Sequence, residues 1–226
     1  MVPDSPDVMA VQSRLKEQNA DRIVAIRLEA SPASAARAVE LARGGAEVIH
    51  LVFDAHGREN SGGQGEGGGK PRHARDVLRE VHRALVKDGH RDEITLVASG
   101  GIAQPEHMAK AIICGADLVA IDIPLLLALE CRLCEQSRQC EQGEQCEQDA
   151  YCPISLEEVS VDFAVRRMVN LMGAWHQQLI EVLGAMGIRE VRRLRGETGR
   201  AMFFEDLERD SFGRLFGKRK EGASGR

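Results

Sequence analysis

Residues Glu93–Ile123 read EITLVASGGIAQPEHMAKAIICGADLVAIDI, and this stretch decides the fold of the chain. It contains two apolar runs, Glu93–Ala98 and Asp117–Ile123, which have the length and the composition of buried strands. Between them, the segment from Pro105 to Cys114 has the pattern of a helix that begins at a proline. Strand, helix and strand in this order predict two parallel strands joined by a crossover helix.

The same alternation extends towards the N-terminus. It predicts strands at Arg22–Leu28 (RIVAIRL) and Glu47–Phe53 (EVIHLVF), a helix from Ser31-Pro32 to Gly44-Gly45, and a helix from about Arg72 to Asp88 that ends at Gly89. Four apolar strands alternating with helices predict an α/β fold whose parallel sheet is covered on both faces. Such a sheet is either a small doubly wound sheet or part of an eight-stranded (β/α)8 barrel of the TIM type.

The composition excludes several classes of protein. Of the 226 residues, 43% are hydrophobic and 29% are charged, as expected for a globular protein with a sizeable core. The net charge of −5 argues against a nucleic-acid partner, and we expect the short basic tail around Lys218 to be solvated. Because no apolar run is long enough to span a membrane and no signal-peptide core is visible, we expect a cytoplasmic protein without a membrane partner.

Five of the six cysteines lie between Cys131 and Cys152. In a reducing cytoplasm, a cluster of this kind indicates metal binding or redox activity rather than disulfides. A tetrahedral metal site or a cubane cluster needs about four thiolates. The run supplies a CxxC pair in Cys131 and Cys134, a final cysteine in Cys152-Pro153, and Cys140 and Cys146 within six-residue repeats that begin CEQ.

Three interpretations of this run remain open. The thiolates hold an iron–sulfur cluster, they hold a structural zinc ion, or they are redox-active or merely multiplied cysteines. The repeat makes the choice between Cys140 and Cys146 as a ligand ambiguous. The sixth cysteine, Cys114, stands alone among apolar residues, and we expect it in the core.

Further candidate ligand contacts lie near predicted strand ends. Ser99-Gly100-Gly101 precedes a helix, so its backbone N–H groups form either an anion cradle or only a tight turn. Arg27 faces either an anionic ligand or a salt-bridge partner, and His56, two residues after Asp54, has either a catalytic or a structural role. The glycine-rich segment Ser61–Lys70 fits no nucleotide-binding motif, and we expect a surface loop.

The character of the chain changes after the cysteine run. Apolar residues at alternating spacings of four and three predict a long helix with a narrow apolar seam: Val161, Val165, Met168, Met172, Trp175, Leu179, Val182 and Met186. The seam packs either within the same polypeptide or against another subunit. The remaining residues predict a short helical appendix with a disordered tail.

Taken in order, these motifs resemble the flavin-binding domain of the FMN-dependent glutamate synthase family. The resemblance rests on the strand that ends in ASGGI, on KAIICGADLVAI and PLLLALEC, and on the cysteine cluster that ends in CP. The glycine pair and the cysteine loop are its specific part. It runs from about Asp7 to Gly187, and the segment VHRALVKDGHRDEITLVASGG belongs to it.

The resemblance implies an oxidoreductase whose barrel holds FMN. Electrons pass between an iron–sulfur cluster and the flavin, and 2-iminoglutarate, formed from 2-oxoglutarate and ammonia, is reduced to L-glutamate. Carried over to this chain, Ser99, Gly100 and Gly101 contact the flavin phosphate, and Arg27 takes the place of a lysine near the flavin ring. The cluster ligands are then Cys131, Cys134 and Cys152 with Cys140 or Cys146, and no catalytic residue is assigned.

The chain also departs from the family pattern. Its four predicted strands before the cysteine run correspond to the second half of the barrel, so the resemblance implies residues 1–130 as a partial FMN-binding barrel, 131–156 as the iron–sulfur loop and 157–226 as a C-terminal helical extension. Asp122 stands where the family has a glycine suited to phosphate, and its carboxylate would repel one.

Two functional hypotheses follow. The chain is a glutamate synthase-like redox module, or it is a non-catalytic iron–sulfur or zinc scaffold that docks on a partner oxidoreductase. In both cases the expected partner is another polypeptide, the missing half-barrel or a second copy, because an open half-barrel exposes strand edges and apolar faces.

Overall fold

A computed structural model describes residues 1–60, 71–130 and 159–197. Within these residues, strands and helices alternate as the sequence predicts. The strands are β1 (Val2–Pro3), β2 (Ala25–Glu29), β3 (Val48–Val52), β4 (Thr95–Ser99) and β5 (Leu118–Ala120). The helices are α1 (Val8–Gln18), α2 (Ser34–Arg43), α3 (Ala74–Asp88), α4 (Pro105–Ile113), α5 (Ile123–Ala128) and α6 (Val161–Ala185), followed by a 3-10 turn at Val191–Leu194.

The strands form one parallel sheet in the order β1-β2-β3-β4-β5. The predicted α/β class and the parallel pairing are therefore confirmed. A doubly wound sheet reverses its strand order at a switch point, whereas a barrel keeps the order of the sequence. Because right-handed crossovers between consecutive neighbours place their helices on the same side, this sequential order favours a barrel segment.

The expectation that both faces are covered is wrong for the described residues. Ile26, Ile49 and Leu96 are paired across β2, β3 and β4 and are fully buried beneath the helices. The alternate register brings Arg27, His50, Val97 and Leu118 to the opposite face, where Leu118 is 56% exposed. We call these the covered face and the bare face. The apolar runs misled the prediction because both faces carry apolar side chains.

Several elements differ from the predicted ones, among them α2, β5 and β1. Helix α2 begins at Ser34 rather than at Ser31-Pro32, and the Ser34 hydroxyl accepts a 2.8 Å hydrogen bond from the Ser31 amide. Strand β5 ends at Ala120, because Asp122 already caps α5 instead of ending a strand. The sheet has one strand more than the four predicted. This additional strand, β1, was not predicted, since two residues form no recognisable pattern.

Helix α6 confirms the predicted long helix, but its apolar seam is only partly packed. Trp175 is buried in the main core, and Leu183 packs against Ile112 and Ile113 of α4. Towards the N-terminal end of the helix, Val161 and Val165 are more than half exposed. The seam therefore packs within the polypeptide at one end, as one of the two alternatives expected. The predicted helical appendix and tail lie mainly beyond residue 197, outside the described residues.

A partly buried ionic network fastens the C-terminal segment to the amino ends of the strands. Arg91 is 4% exposed and donates to Asp117 at 2.8 Å and to Nδ1 of His82 at 3.0 Å. Arg195 donates to the other oxygen of Asp117 at 2.7 Å, and Gly196 donates to the Ile113 carbonyl. Because Asp117 is shared by two guanidinium groups, the network holds the segment that follows α6 in place.

Candidate functional site

The carboxyl edge of the sheet is where ligands bind in parallel α/β folds. Two bare-face side chains meet there, since the Ser99 hydroxyl lies 2.8 Å from Nε2 of His50. Nδ1 of His50 lies 3.4 Å from the sulfur of Met1. The bond between Ser99 and His50 joins the last residue of β4 to the middle of β3, and it fixes the direction of the Ser99 hydroxyl.

His50 was missed by the sequence reasoning. Burial, together with the nearby Arg27 guanidinium, lowers its pKa below 6.5, and the Glu29 carboxylate opposes this only in part. The lowered pKa favours the neutral imidazole, whose Nε2 donates or accepts one hydrogen bond according to its tautomer. The signal was present as a polar residue in the middle of the run EVIHLVF.

Arg27 lies on the bare face, as contact with an anionic ligand or the flavin ring requires, but it also has a protein partner. Its guanidinium lies 2.8 Å from the carboxylate of Glu29, and both side chains are about half exposed, at 49% each. The salt-bridge alternative is therefore realised in the described residues. An exposed pair of this kind is weak, so it does not prevent Arg27 from turning to an anionic ligand.

The glycines of Ser99-Gly100-Gly101 are required by the approach of a neighbouring loop. Gly100 has a φ of +93°, and a Cβ there would lie 2.2 Å from the Phe53 carbonyl oxygen. Gly101 has a φ of +70°, and a Cβ there would lie 2.3 Å from the Cα of Gly57. Close packing alone thus accounts for both residues. Contact of this loop with a flavin phosphate stays a prediction.

Asp54 shapes the loop that packs against these glycines. Its carboxylate accepts hydrogen bonds from the amides of His56 at 2.9 Å and of Arg58 at 2.7 Å. This is the local turn that aspartate commonly forms with the backbone ahead of it. The geometry therefore gives Asp54 a structural role, and it places the exposed His56 side chain at the rim of the carboxyl edge.

Asp122 caps α5 and leaves little room for a phosphate at the end of β5. Its carboxylate accepts a 2.6 Å hydrogen bond from the Ile123 amide, and Pro124, next in the chain, has no N–H to offer. A phosphate here would meet a negative charge and would lose two of the usual amide donors of a helix start. The phosphate end of FMN therefore fits this loop poorly.

A cavity of about 180 Å³ lies behind the glycine loop, between α3 and α4. Its lining combines apolar side chains, among them Phe53 and Leu78, with the basic residues His73, Arg75, His107 and Lys110. Cys114 also lines it and is 2% exposed, and burial raises the pKa of this thiol to about 11. The prediction of Cys114 as a core residue is confirmed, and its thiol is protonated and unreactive at neutral pH.

The predicted metal ligands fall outside the part of the chain that the structure describes. Cys131, Cys134, Cys140, Cys146 and Cys152 all lie within residues 131–158. Among residues 1–60, 71–130 and 159–197, no group of three or more His, Cys, Asp or Glu side chains is arranged to hold a metal ion. No described helix is long and apolar enough to cross a membrane.

The family model for the conserved region in glutamate synthase matches residues 2–189 of the chain. An archaeal glutamate synthase [NADPH] from Archaeoglobus fulgidus is 30% identical over 215 residues, which are 91% of this chain and 40% of the relative. An archaeal-type glutamate synthase [NADPH] from Dehalococcoides mccartyi is 29% identical over 194 residues, or 80% of this chain and 36% of the relative. The chain thus spans two fifths or less of these relatives.

Solved structures with a similar shape include a mandelate oxidase variant that carries an FMN monooxide adduct. It matches with a TM-score of 0.49 and 19% identity, over 84% of this chain and 43% of that one.

Proposed function

This chain belongs to the glutamate synthase family, and from that premise we propose that it is part of an oxidoreductase that forms L-glutamate by reduction. We assign it two contributions to that enzyme, the C-terminal half of a flavin barrel and an iron–sulfur site. The observation that carries the proposal is the family match over residues 2–189, which includes both the sheet and the cysteine run. The sequential parallel strand order supports the barrel.

In this proposal the flavin would accept and deliver electrons, and the cluster would relay them. Thiolates suit such a cluster, and Cys131, Cys134 and Cys152 with Cys140 or Cys146 would hold it. The bare face would line the barrel interior, where Arg27 would balance an anionic group and Ser99 would present a hydroxyl held by neutral His50. The Ser99–Gly101 loop would supply backbone contacts to the phosphate.

Asp122 favours a second candidate function, a non-catalytic iron–sulfur or zinc scaffold. Its carboxylate caps α5 where a phosphate would have to sit, so this chain would bind FMN weakly or not at all. A scaffold would keep the cysteine site and the surfaces that contact a partner oxidoreductase. The two functions differ in flavin content and agree in metal content.

The first experiment measures cofactors. The chain is purified without oxygen, its visible absorption is recorded, and iron, zinc and flavin are assayed on the same sample. Iron with the broad absorption of a cluster supports the redox module, and FMN that binds when the complementary half is added separates it from the scaffold. A sample that carries neither metal would overturn both functions.

Cysteine variants locate the site. Changing Cys131, Cys134 or Cys152 to Ala should abolish metal loading, because a cluster with one missing ligand is not retained. The matched control is Cys114→Ala, which removes a buried thiol far from the run in sequence and should leave the metal content unchanged. Full iron content in a Cys152→Ala protein would refute the assignment.

A further inference from the structure

The cavity behind the glycine loop lies on the covered face of the sheet. Its wall includes Ala98, which is 1% exposed and follows the buried Leu96 by two residues on β4. Side chains two residues apart on a strand point to the same face. None of the bare-face residues Arg27, His50 and Ser99 lines the cavity. A ligand held there would therefore be separated from the bare face by the sheet itself.

The cavity exists because small residues meet where two helices cross the sheet. Ala74 and Leu78 lie one turn apart on α3, and Ala111 and Cys114 lie one turn apart at the end of α4. Protein interiors leave few voids larger than a water molecule, whereas this one measures about 180 Å³. An engineered apolar cavity of about 150 Å³ holds benzene. This cavity therefore has room for a single ring or a short branched chain.

Four basic residues line the same cavity, and we call them its mouth. His73 and Lys110 are exposed, and Arg75 and His107 are partly buried. No Asp or Glu is among the described residues that line the cavity. Arg75 pairs with Asp76 at 3.1 Å, whereas Lys110 makes no ion pair in the described part of the chain. The cavity thus combines an apolar interior with a positively charged mouth.

Backbone contacts fix the tautomers of the two histidines at the mouth. Nδ1 of His73 accepts a 3.2 Å hydrogen bond from the amide of Arg75. Nδ1 of His107 accepts one of 3.2 Å from the amide of Ala103. In a neutral imidazole one nitrogen accepts and the other carries the proton, so each of these neutral rings carries its N–H at Nε2. An N–H group of this kind can donate to a carboxylate oxygen.

A further buried donor lies near the inner end of the cavity. Nε of Arg79, one turn beyond Arg75 on α3, is buried and has no acceptor among the described residues. Burial raises the pKa of Cys114, and the charges of Arg79 and Arg75 oppose this in part, so both guanidinium groups lie near the wall to which Cys114 belongs. A buried N–H without an acceptor is destabilising. An anion bound nearby would supply the acceptor.

We propose that this cavity binds a small monocarboxylate whose apolar body has about the size of one ring, either an aromatic or a branched aliphatic acid. The apolar body would fill the space beside Leu78, Ala98 and Ala111, and the carboxylate would lie at the mouth near Lys110. A bare phosphate or acetate would leave the interior empty, and a neutral ring would leave the mouth unused. The described residues alone form the cavity, so the inference does not rest on the proposed redox function.

The test uses benzoate as the probe and divides it into its two parts. Acetate keeps the charge without the ring, and benzyl alcohol keeps the ring without the charge. Isothermal titration calorimetry of the full chain at neutral pH should give a dissociation constant for benzoate at or below about 1 mM. Benzyl alcohol should bind about ten-fold more weakly, because it makes no charge-assisted hydrogen bond, and acetate should not bind.

Variants locate the ligand. Lys110→Met removes a charge at the mouth and should weaken benzoate about five-fold while leaving benzyl alcohol unchanged. The matched control is Lys87→Met, which removes the same charge near the other end of α3, outside the cavity, and should change neither affinity. Ala111→Leu fills the interior and should abolish binding of both ring compounds. Its melting temperature should not fall, because a cavity is filled rather than created.

NMR places the ligand directly. Benzoate should shift the amide signals of Ile102 and Ala111 most and those of Arg27 and His50 least. Any of four results would overturn the inference: no binding of benzoate, equal binding of benzoate and benzyl alcohol, equal effects of the two lysine variants, or the largest shifts on the bare face. Binding that survives Ala111→Leu in a folded protein would do the same. A sample without metal or flavin should bind benzoate equally well, which separates this site from the redox proposal.

Discussion

The covered and bare faces of the sheet are made from alternate residues of the same strands, yet they have opposite relations to the rest of the chain. Ile49 and Leu51 of β3 are fully buried under helices, whereas Arg27 and Glu29 of β2 are exposed and form a salt bridge with each other, and Glu29 also accepts a hydrogen bond from Asn60. In a closed barrel the inner face of every strand is packed against the strands opposite. Among the described residues, helices therefore cover one face of the sheet and leave Arg27, Glu29 and Leu118 of the other face exposed.

The largest predicted effect is the difference in stability loss between a substitution on the covered face and one on the bare face. Leu51→Ala should lower the free energy of unfolding by about 2–5 kcal/mol, because it leaves a cavity in a packed core. Val97→Ala on the bare face should cost less than about 1 kcal/mol, since little packing is lost there. Urea denaturation measures both. Equal costs would mean that the bare face is also packed, and the comparison would fail.

A somewhat smaller loss of stability is predicted for a substitution in the glycine loop that follows β4. Gly100→Ala should cost about 3 kcal/mol, because the new Cβ would overlap the Phe53 carbonyl and the backbone is left-handed. Gly187→Ala is the control, with a φ of +66° and no atom within 4 Å of the new Cβ, so it should cost about 1–2 kcal/mol. Thermal unfolding compares them, and a Gly100→Ala cost no larger than the control would refute the close loop packing.

The smallest effect is the pH dependence of two histidines. Burial and nearby guanidinium groups lower the pKa of both His50 and His82 below 6.5, so the folded chain binds their protons less readily than the unfolded chain. Stability is then complete above about pH 6.5 and falls as the pH drops from there towards the folded pKa values. Each histidine contributes at most about 1.4 kcal/mol per pH unit in that window.

Variants assign this dependence to one face or the other. His82→Gln keeps an acceptor for Arg91 and should remove the share of the pH dependence that comes from α3, above the covered face. His50→Gln should remove the share that comes from the bare face. NMR titration of the two imidazoles provides the measurement. Docking of the complementary half should lower the pKa of His50 further and leave that of His82 unchanged, and the opposite pattern would contradict the assignment of faces.

The sequence was sufficient for the layout of the chain. Apolar runs such as EITLVA and helix signals such as Pro105 and Gly89 placed four of the strands and helices α2, α3, α4 and α6, because strand length and capping chemistry are local properties. Helices α1 and α5 were not predicted. The coverage of the sheet was not predictable in this way. Val97 reads as a core residue in the sequence, and only the burial of its neighbours shows that its face is partly open among the described residues.

The candidate site was predicted less well, for a related reason. Gly100 and Gly101 signal a special backbone, but the same signal arises from an anion cradle and from a close loop contact. Asp122 reads as a strand residue until the helix that it caps is seen. His50 gains its role from Ser99, which is 49 residues away in the chain, and no local pattern reports such a contact.

The most direct test of the account follows amide hydrogen exchange across the sheet, with and without the complementary half from the Archaeoglobus fulgidus relative. Strand β3 lies between two strands and should be protected in both samples, which makes it the internal control. We expect Leu118–Ala120 of β5 and the N-terminal half of α6 to become strongly protected only when the complement is present. Exchange in β5 that stays the same in both samples would contradict the claim that this chain is one half of a barrel.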